Sequence, residues 1–478
     1  MLKPTFFAPT KTGCRVQGAG CDAPNAASTT DNRQPAPFLA VAIAVFSVLA
    51  ALASPAAARV QIDITQGNIE PMPVAVPEFI TDGGPVAGLS RDLTGVVMAD
   101  LDRSGLFAVI DQRAYIENLT GVNVRPRFPD WRLINAQVLV VGEVKDLGDG
   151  RIEVQTRVWD VYADEQLGAV SFRTPSDNWR RAAHKVADFV YKSLTGEDGY
   201  FDTRIVFVHE SGPAERRVKR LMIMDQDGAN PKPLTDGLNY QVLTPRFSPT
   251  QQQITYMALF DNRPGQVYLF NIETGEQEQL GTFRGMTFAP RFSPDGAEVL
   301  LAMERGGNSD VFKMELSTRR LTRLTDNPAV DVSPTMSPDG RRIAFASDRG
   351  GAPQIYVMNA DGADQKRITF GEGRYQTPVW SPRGDLIAFT RQYQGRFYIG
   401  VIRPDGAGER LLTESYLDEG PTWSPNGRVL MFYRQTPNRR DGTGGEASLW
   451  SVDLTGRNLR RVRTPGEASD PAWSPLLP

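Results

Sequence analysis

Cysteine is nearly missing from the chain: of 478 residues only Cys14 and Cys21 are cysteine, and both fall near the start. Disulfides therefore cannot staple whatever folds after them, and cysteine-based zinc sets or thiol nucleophiles are excluded there. Histidine is as scarce. His184 and His209 are the only two, one in a helix-patterned and one in a strand-patterned stretch. They belong to different domains, supply no zinc set, and each reads as a surface or packed residue. The G-x-S-x-G elbow of a serine hydrolase is absent as well. Neither a metal nor a cofactor is expected.

A large excess of one charge is also lacking, with 53 Lys and Arg against 56 Asp and Glu. Four of those basic and two of those acidic residues precede Arg59, so the remainder is the more acidic part. That balance gives no field for nucleic acid.

Long apolar runs are limited to one, Phe38 to Ala53, short of the ~20 residues a membrane span needs. Arg33 precedes it and Pro55-Ala56-Ala57-Ala58 follows, the order of a secretory signal peptide with its small-residue cleavage site. Residues 1–58 are read as a leader, unusually long because polar residues 1–37 come before the run. Gly18-Ala19-Gly20-Cys21 ends like a lipoprotein box, but no apolar run precedes it. The exported chain starts near Arg59 and is expected to be a periplasmic monomer that does not span the membrane.

Glycine (44) and proline (35) are plentiful, which favours short strands and many turns. One phrase recurs six times: Pro245-Arg-Phe-Ser248-Pro, Pro290-Arg-Phe-Ser293-Pro, Pro334-Thr-Met-Ser337-Pro, Pro378-Val-Trp-Ser381-Pro, Pro421-Thr-Trp-Ser424-Pro and Pro471-Ala-Trp-Ser474-Pro. The serines step by 45, 44, 44, 43 and 50 residues, the period of a four-stranded propeller blade. The long last step accommodates an insertion at Pro437 to Gly445. Turns such as Ser-Pro-Asp295-Gly296 follow the first five copies, with Thr250-Gln251 the poor match. Their Asp reads as a turn former and not as a calcium ligand.

The ends of the array make the count. Its first unit holds Arg204-Ile-Val-Phe-Val208 and Leu221-Met-Ile-Met224 but lacks the strand carrying the phrase, and the last phrase stands alone at the C-terminus. Pairing the two gives six whole blades and hides the sheet edges. The aromatic of each phrase, with Met336 in its place once, reads as inter-blade core.

Residues 59–200 have another grammar. Arg59 to Thr65 alternates as a strand; Val86, Leu89, Leu93, Val97 and Leu101 share a helix face ending at Gly105. Strands are predicted at Leu106 to Ile110, Val138 to Val144, Ile152 to Val161 and Gly168 to Phe172. A closing helix is predicted to be capped at Ser176 or Asp177 and to stop at Gly196. The fold class is thus an α/β N-terminal domain (59–200) followed by an all-β six-bladed β-propeller (201–478).

The Pro-x-aromatic-Ser-Pro-Asp-Gly units resemble the WD40-like propeller repeat of the TolB family, periplasmic components of the Tol-Pal system. The resemblance is dense over residues 204–478, and the family likewise places an α/β domain before its propeller. It departs in the long leader, the weak first turn and Met336. In that family the first mature residues dock onto the inner-membrane protein TolA, and the propeller binds the peptidoglycan-associated lipoprotein Pal. The resemblance therefore implies a TolA-like partner for Arg59, Val60, Gln61, Ile62, Asp63 and Ile64. An alternating strand at a chain end suits addition to a partner's sheet edge, although it equally suits a strand built into its own domain.

For a Pal-like partner the resemblance points to the residues before each phrase: Thr244, Ala289, Ser333, Thr377 and Gly420, with Asp331, Arg374, Tyr375, Asp418, Glu419 and Asp470 beside them. Loops before first strands and between second and third strands open on one propeller face, where Arg305, Arg349, Arg391 and Arg434 also lie. The reading is a protein-binding adaptor without catalysis. The alternative is a periplasmic glycan lyase or hydrolase using Asp331, Asp418, Glu419 and Asp470 at the channel mouth; carboxylates without a base or a substrate geometry do not define a reaction.

Overall fold

The first strand of the N-terminal domain is one that the residue pattern hides. In the computed structural model, which describes residues 70–213, 216–281, 283, 285–438 and 444–477, β1 (Met72–Ala75) is an inner strand of a five-stranded sheet in spite of Pro73. It runs parallel to both β2 (Phe107–Val109) and β3 (Val138–Asp146). Antiparallel β4 (Arg151–Asp160) and β5 (Glu165–Pro175) complete the order β2-β1-β3-β4-β5. The leader, its apolar run and the strand expected at Arg59 to Thr65 lie outside the described residues.

Both faces of β3 are covered, which is why it reads as an unbroken apolar run. Val138, Val140 and Val144 face the core beneath α1 (Ala87–Ser104) and the closing helix α3 (Trp179–Thr195). Leu139 and Val141 join Ala75, Val122, Trp131 and Val161 on the other face, beside α2 (Phe128–Leu133). α1 and α3 end at Gly105 and Gly196, both with left-handed φ, as their sequences imply. The cap expected at Ser176 or Asp177 is not formed: a 3-10 turn over Ser176–Asn178 leads into the helix, and Asn178 makes no side-chain cap bond.

Six four-stranded antiparallel sheets follow, and their innermost strands touch one another around a closed ring. Blades one to five begin at Gln241–Phe247, Thr287–Phe292, Asp331–Met336, Arg374–Trp380 and Leu417–Trp423. Blade six joins the C-terminal strand Glu467–Trp473 to Arg204–Ser211, Val218–Asp225 and Lys232–Pro233.

The repeated serine explains the hairpin. Ser293 and Ser337 each accept the amide five residues on at 2.9 Å and hold the turn carboxylates Asp295 and Asp339 at 2.5 Å. These hydrogen bonds keep both carboxylates below the usual range. The phrase residues Trp380, Trp423 and Trp473 are buried, and Phe247, Phe292 and Met336 pack half-buried against the blade cores.

Between domains the core is continuous. Tyr200 stacks edge-on to Trp473 at 5.8 Å, whose indole donates to Thr203 at 2.8 Å. Ile205, Met224, Val429 and Met431 of blades six and five share that core with α1 and α3. No helix among the described residues is long and apolar enough to cross a membrane.

Candidate functional site at the propeller mouth

The N-terminal domain rests on the face formed by turns between first and second strands and between third and fourth strands. Asn426 donates to the Asp198 carbonyl at 3.0 Å and Asn458 to the Arg103 carbonyl at 2.7 Å. Arg460 donates to the Asp102 carboxylate at 3.1 Å, and Arg383 pairs with Glu197. The opposite face carries the loops that enter innermost strands.

Six residues at this face share an unusual backbone. Thr244, Ala289, Ser333, Thr377, Gly420 and Asp470 all have left-handed φ, between 46° and 64°. Each sits at the register shift of its innermost strand, a β-bulge repeated once per blade. The sequence reading placed them on loops; they lie inside strands, because the bulge absorbs the extra residue before each proline. For the five that are not glycine this conformation costs about 1–2 kcal/mol each, offset by the fixed ring. The Thr244 amide reaches the Asp470 carboxylate of the neighbouring blade at 3.2 Å.

Three of the residues assigned to partner contact are fully buried: Asp331, Asp418 and Tyr375. Their position in the innermost strands turns these side chains into the blades, so a partner cannot touch them directly. Asp331 holds Arg349 at 2.8 Å, and Asp418 takes Arg434 in a two-pronged bond of 2.7 and 2.8 Å. Tyr375 donates to Glu409 at 2.8 Å and lies under Arg391. Two of the four carboxylates required for the lyase reading are thus committed to ion pairs.

Arginines on this face also stack on aromatic rings. Arg305 lies 5.3 Å from the Phe312 ring centre, Arg349 4.9 Å from Tyr356, and Arg434 4.7 Å from Trp450, each aromatic on a third strand. Stacking of this kind fixes a planar guanidinium for recognition.

Nearer the axis the charge divides by blade. Burial raises Glu419, although Tyr433 donates to it at 2.6 Å and partly offsets the rise; the neighbouring charge of Asp470 adds to it. Burial also pushes Arg246 and Arg291, at equivalent positions of blades one and two, below the ordinary arginine range. Carboxylates on blades five and six therefore lie next round the ring to arginines on blades one and two.

Around the mouth, one large apolar side chain stands in solvent on each of blades one to five: Leu238 (80%), Met286 (38%), Val330 (42%), Phe370 (74%) and Tyr416 (45%). Each lies in the loop entering an innermost strand, and exposed Arg374 shares the rim. Leu238, Phe370 and Tyr416 escaped the sequence reading because their distances from the proline phrase differ. The available signal was an apolar residue stranded among polar ones between a fourth strand and the next phrase. Arg59, Val60, Gln61, Ile62, Asp63 and Ile64 lie outside the described residues.

Family models match the TolB amino-terminal domain over residues 60–167 and the TolB beta propeller domain over residues 191–477. Among solved structures, the chain is similar to TolB from Acinetobacter baumannii at 30% identity and a TM-score of 0.75, over 85% of this chain and 97% of that one. A putative TolB from Agrobacterium tumefaciens matches at 21% identity and a TM-score of 0.44, over 56% of this chain and 90% of that one. An oligogalacturonate lyase from Vibrio parahaemolyticus matches at 13% identity and a TM-score of 0.39, over 52% and 71%. The last two scores carry no inference about chemistry.

Proposed function

Because the chain belongs to the TolB family, we propose that it is a periplasmic adaptor of the Tol-Pal system, exported through a cleaved signal peptide and acting as a monomer without catalysis. Its propeller mouth binds a Pal-like peptidoglycan-associated lipoprotein, and its first mature residues, Arg59 to Ile64, recruit a TolA-like inner-membrane protein. The two attachments link the membranes for envelope integrity and division.

The observation that carries this reading is the ring of exposed Leu238, Met286, Val330, Phe370 and Tyr416 on the face turned away from the N-terminal domain. Apolar anchors beside fixed arginines are the composition of a protein-binding hot spot. The bulge residues Thr244, Ala289, Ser333, Thr377, Gly420 and Asp470 set the rim from which these loops project. Arg349, Arg374 and Glu419 add its polar contacts, while Asp331, Asp418 and Tyr375 act by holding arginines in place.

The test is binding of the purified chain, starting at Arg59, to the peptidoglycan-associated lipoprotein of the same cell, measured by calorimetry. Saturable binding that is lost when Leu238 and Phe370 are both changed to Asp, and kept when residues 59–66 are deleted, supports the adaptor. Absence of binding, or loss only on the N-terminal deletion, overturns the assignment of the mouth.

A further inference from the structure

At the seam between the domains, one ring nitrogen of His184 and a carboxylate oxygen from each of Asp225 and Asp227 lie within 4.8 Å of one another. His184 comes from α3, Asp225 ends the third strand of blade six, and Asp227 lies in the turn that follows it. His184 is 3% exposed, and its two nitrogens differ. Nδ1 faces Asp100 Oδ2 at 2.5 Å, and Asp100 is held in turn by Gln226, which donates to Oδ1 at 2.9 Å. Nε2 is buried and has no hydrogen-bond partner. In the neutral ring a carboxylate on Nδ1 fixes the tautomer that leaves the Nε2 lone pair free, the arrangement that orients metal-binding histidines.

The charges around it do not balance. Asp100, Asp225 and Asp227 bring three carboxylates, against which Arg180 is in ion-pair contact with Asp225 and Asp227. Asn230 donates to Asp225 at 2.7 Å, and the Ala229 amide donates to Asp227 at 3.1 Å. Arg103 adds a second positive charge near Asp227, so with a neutral imidazole the group keeps one net negative charge. Nε2 makes no hydrogen bond to these carboxylates, and ligand atoms within 4.8 Å of one another need only small side-chain movements to close on an ion at about 2.0–2.2 Å. A cleft of about 310 Å³, lined by His184, Asp225, Arg180 and Asn230 among others, gives access from solvent.

We propose that His184, Asp225 and Asp227 form a binding site for a divalent transition-metal ion, zinc fitting one imidazole and two carboxylates best. Asp100 is its positioning residue. Arg180 neutralises the carboxylate oxygens turned away from the ion. Since His184 lies in the N-terminal domain and the aspartates lie in the propeller, the ion ties the two together.

The experiment titrates the purified, tag-free chain, stripped with chelator, with zinc, manganese or calcium chloride by calorimetry, and follows thermal unfolding in parallel. One zinc per chain is expected, with a rise in Tm over the chelated protein and weaker binding of calcium. His184→Gln and Asp225→Asn each abolish the site. Asp100→Asn weakens zinc by about 10–100-fold, and Arg180→Gln, which keeps every donor, still binds. If His184→Gln does not fold, Asp225→Asn and Arg180→Gln decide the matter. No saturable zinc binding, zinc binding unchanged in Asp225→Asn, or calcium bound as tightly as zinc overturns the proposal.

Discussion

The Ser474 hydroxyl accepts the amide hydrogen of Arg204 at 2.9 Å, across 270 residues. Ser293 does the same for Glu298 and Ser337 for Arg342 inside their own hairpins. The Ser474 amide also donates to the Arg204 carbonyl at 2.9 Å. Ring closure thus reuses the bonds of a local turn between distant parts of the chain.

Ser474→Ala leaves the half-buried Arg204 amide without its acceptor and is expected to lower stability by about 1–2 kcal/mol, read from urea unfolding. Deleting residues 467–477 exposes the edge at Arg204–Ser211 and is expected to give aggregates on size exclusion. A monomeric, fully stable deletion would show that the last strand is dispensable.

At the mouth, Phe370→Ala is expected to weaken lipoprotein binding by about 2 kcal/mol, roughly 30-fold, while leaving stability within about 0.5 kcal/mol. Arg374→Glu should act on the association rate and steepen or reverse its salt dependence. Surface plasmon resonance at two ionic strengths separates the two effects.

Asp418→Asn removes the charge that faces Arg434 inside blade five and is expected to destabilise by about 3 kcal/mol, because it strands a partly buried guanidinium. Changing Arg434 to Met in the same chain should recover part of the loss. A double variant as weak as the single one would show that the ion pair is not the source of the effect.

Asp188, on α3, accepts the amides of Phe201 and Asp202 at 2.7 and 3.0 Å, yet burial raises it from 3.8 to about 7. Its folded pKa lies above the unfolded one, so the folded state holds the extra proton between these values. The stability it contributes is complete below pH ~4 and declines as pH rises to ~7. Asp188→Asn is expected to flatten that part of the stability profile, measured by denaturant titrations between pH 4 and 8.

The six-blade ring was legible because each blade repeats one local solution: a proline, a core residue, and a buried serine that ties its turn. Closure was legible from an unpaired phrase at one end and a missing strand at the other. β1 was not, since Pro73 breaks its pattern and only the parallel neighbours on either side make it a strand. The site was legible by position but not by orientation. Thr244 and its equivalents were found, yet the burial of Asp331, Asp418 and Tyr375 depends on a bulge that no single residue encodes. His184 meets Asp225 and Asp227 only because α3 packs against blade six.

Closure through the C-terminal strand also sets a clock on biosynthesis. Arg204 and the partner hydroxyl of Ser474 are made 270 residues apart, which at ~5–20 residues per second is a wait of about 15–50 s. Throughout that interval blade six has an open edge, and the N-terminal domain has no finished surface to rest on. Blade six therefore cannot be completed from the beginning of the chain forward; its sheet closes only once Glu467–Trp473 has been made.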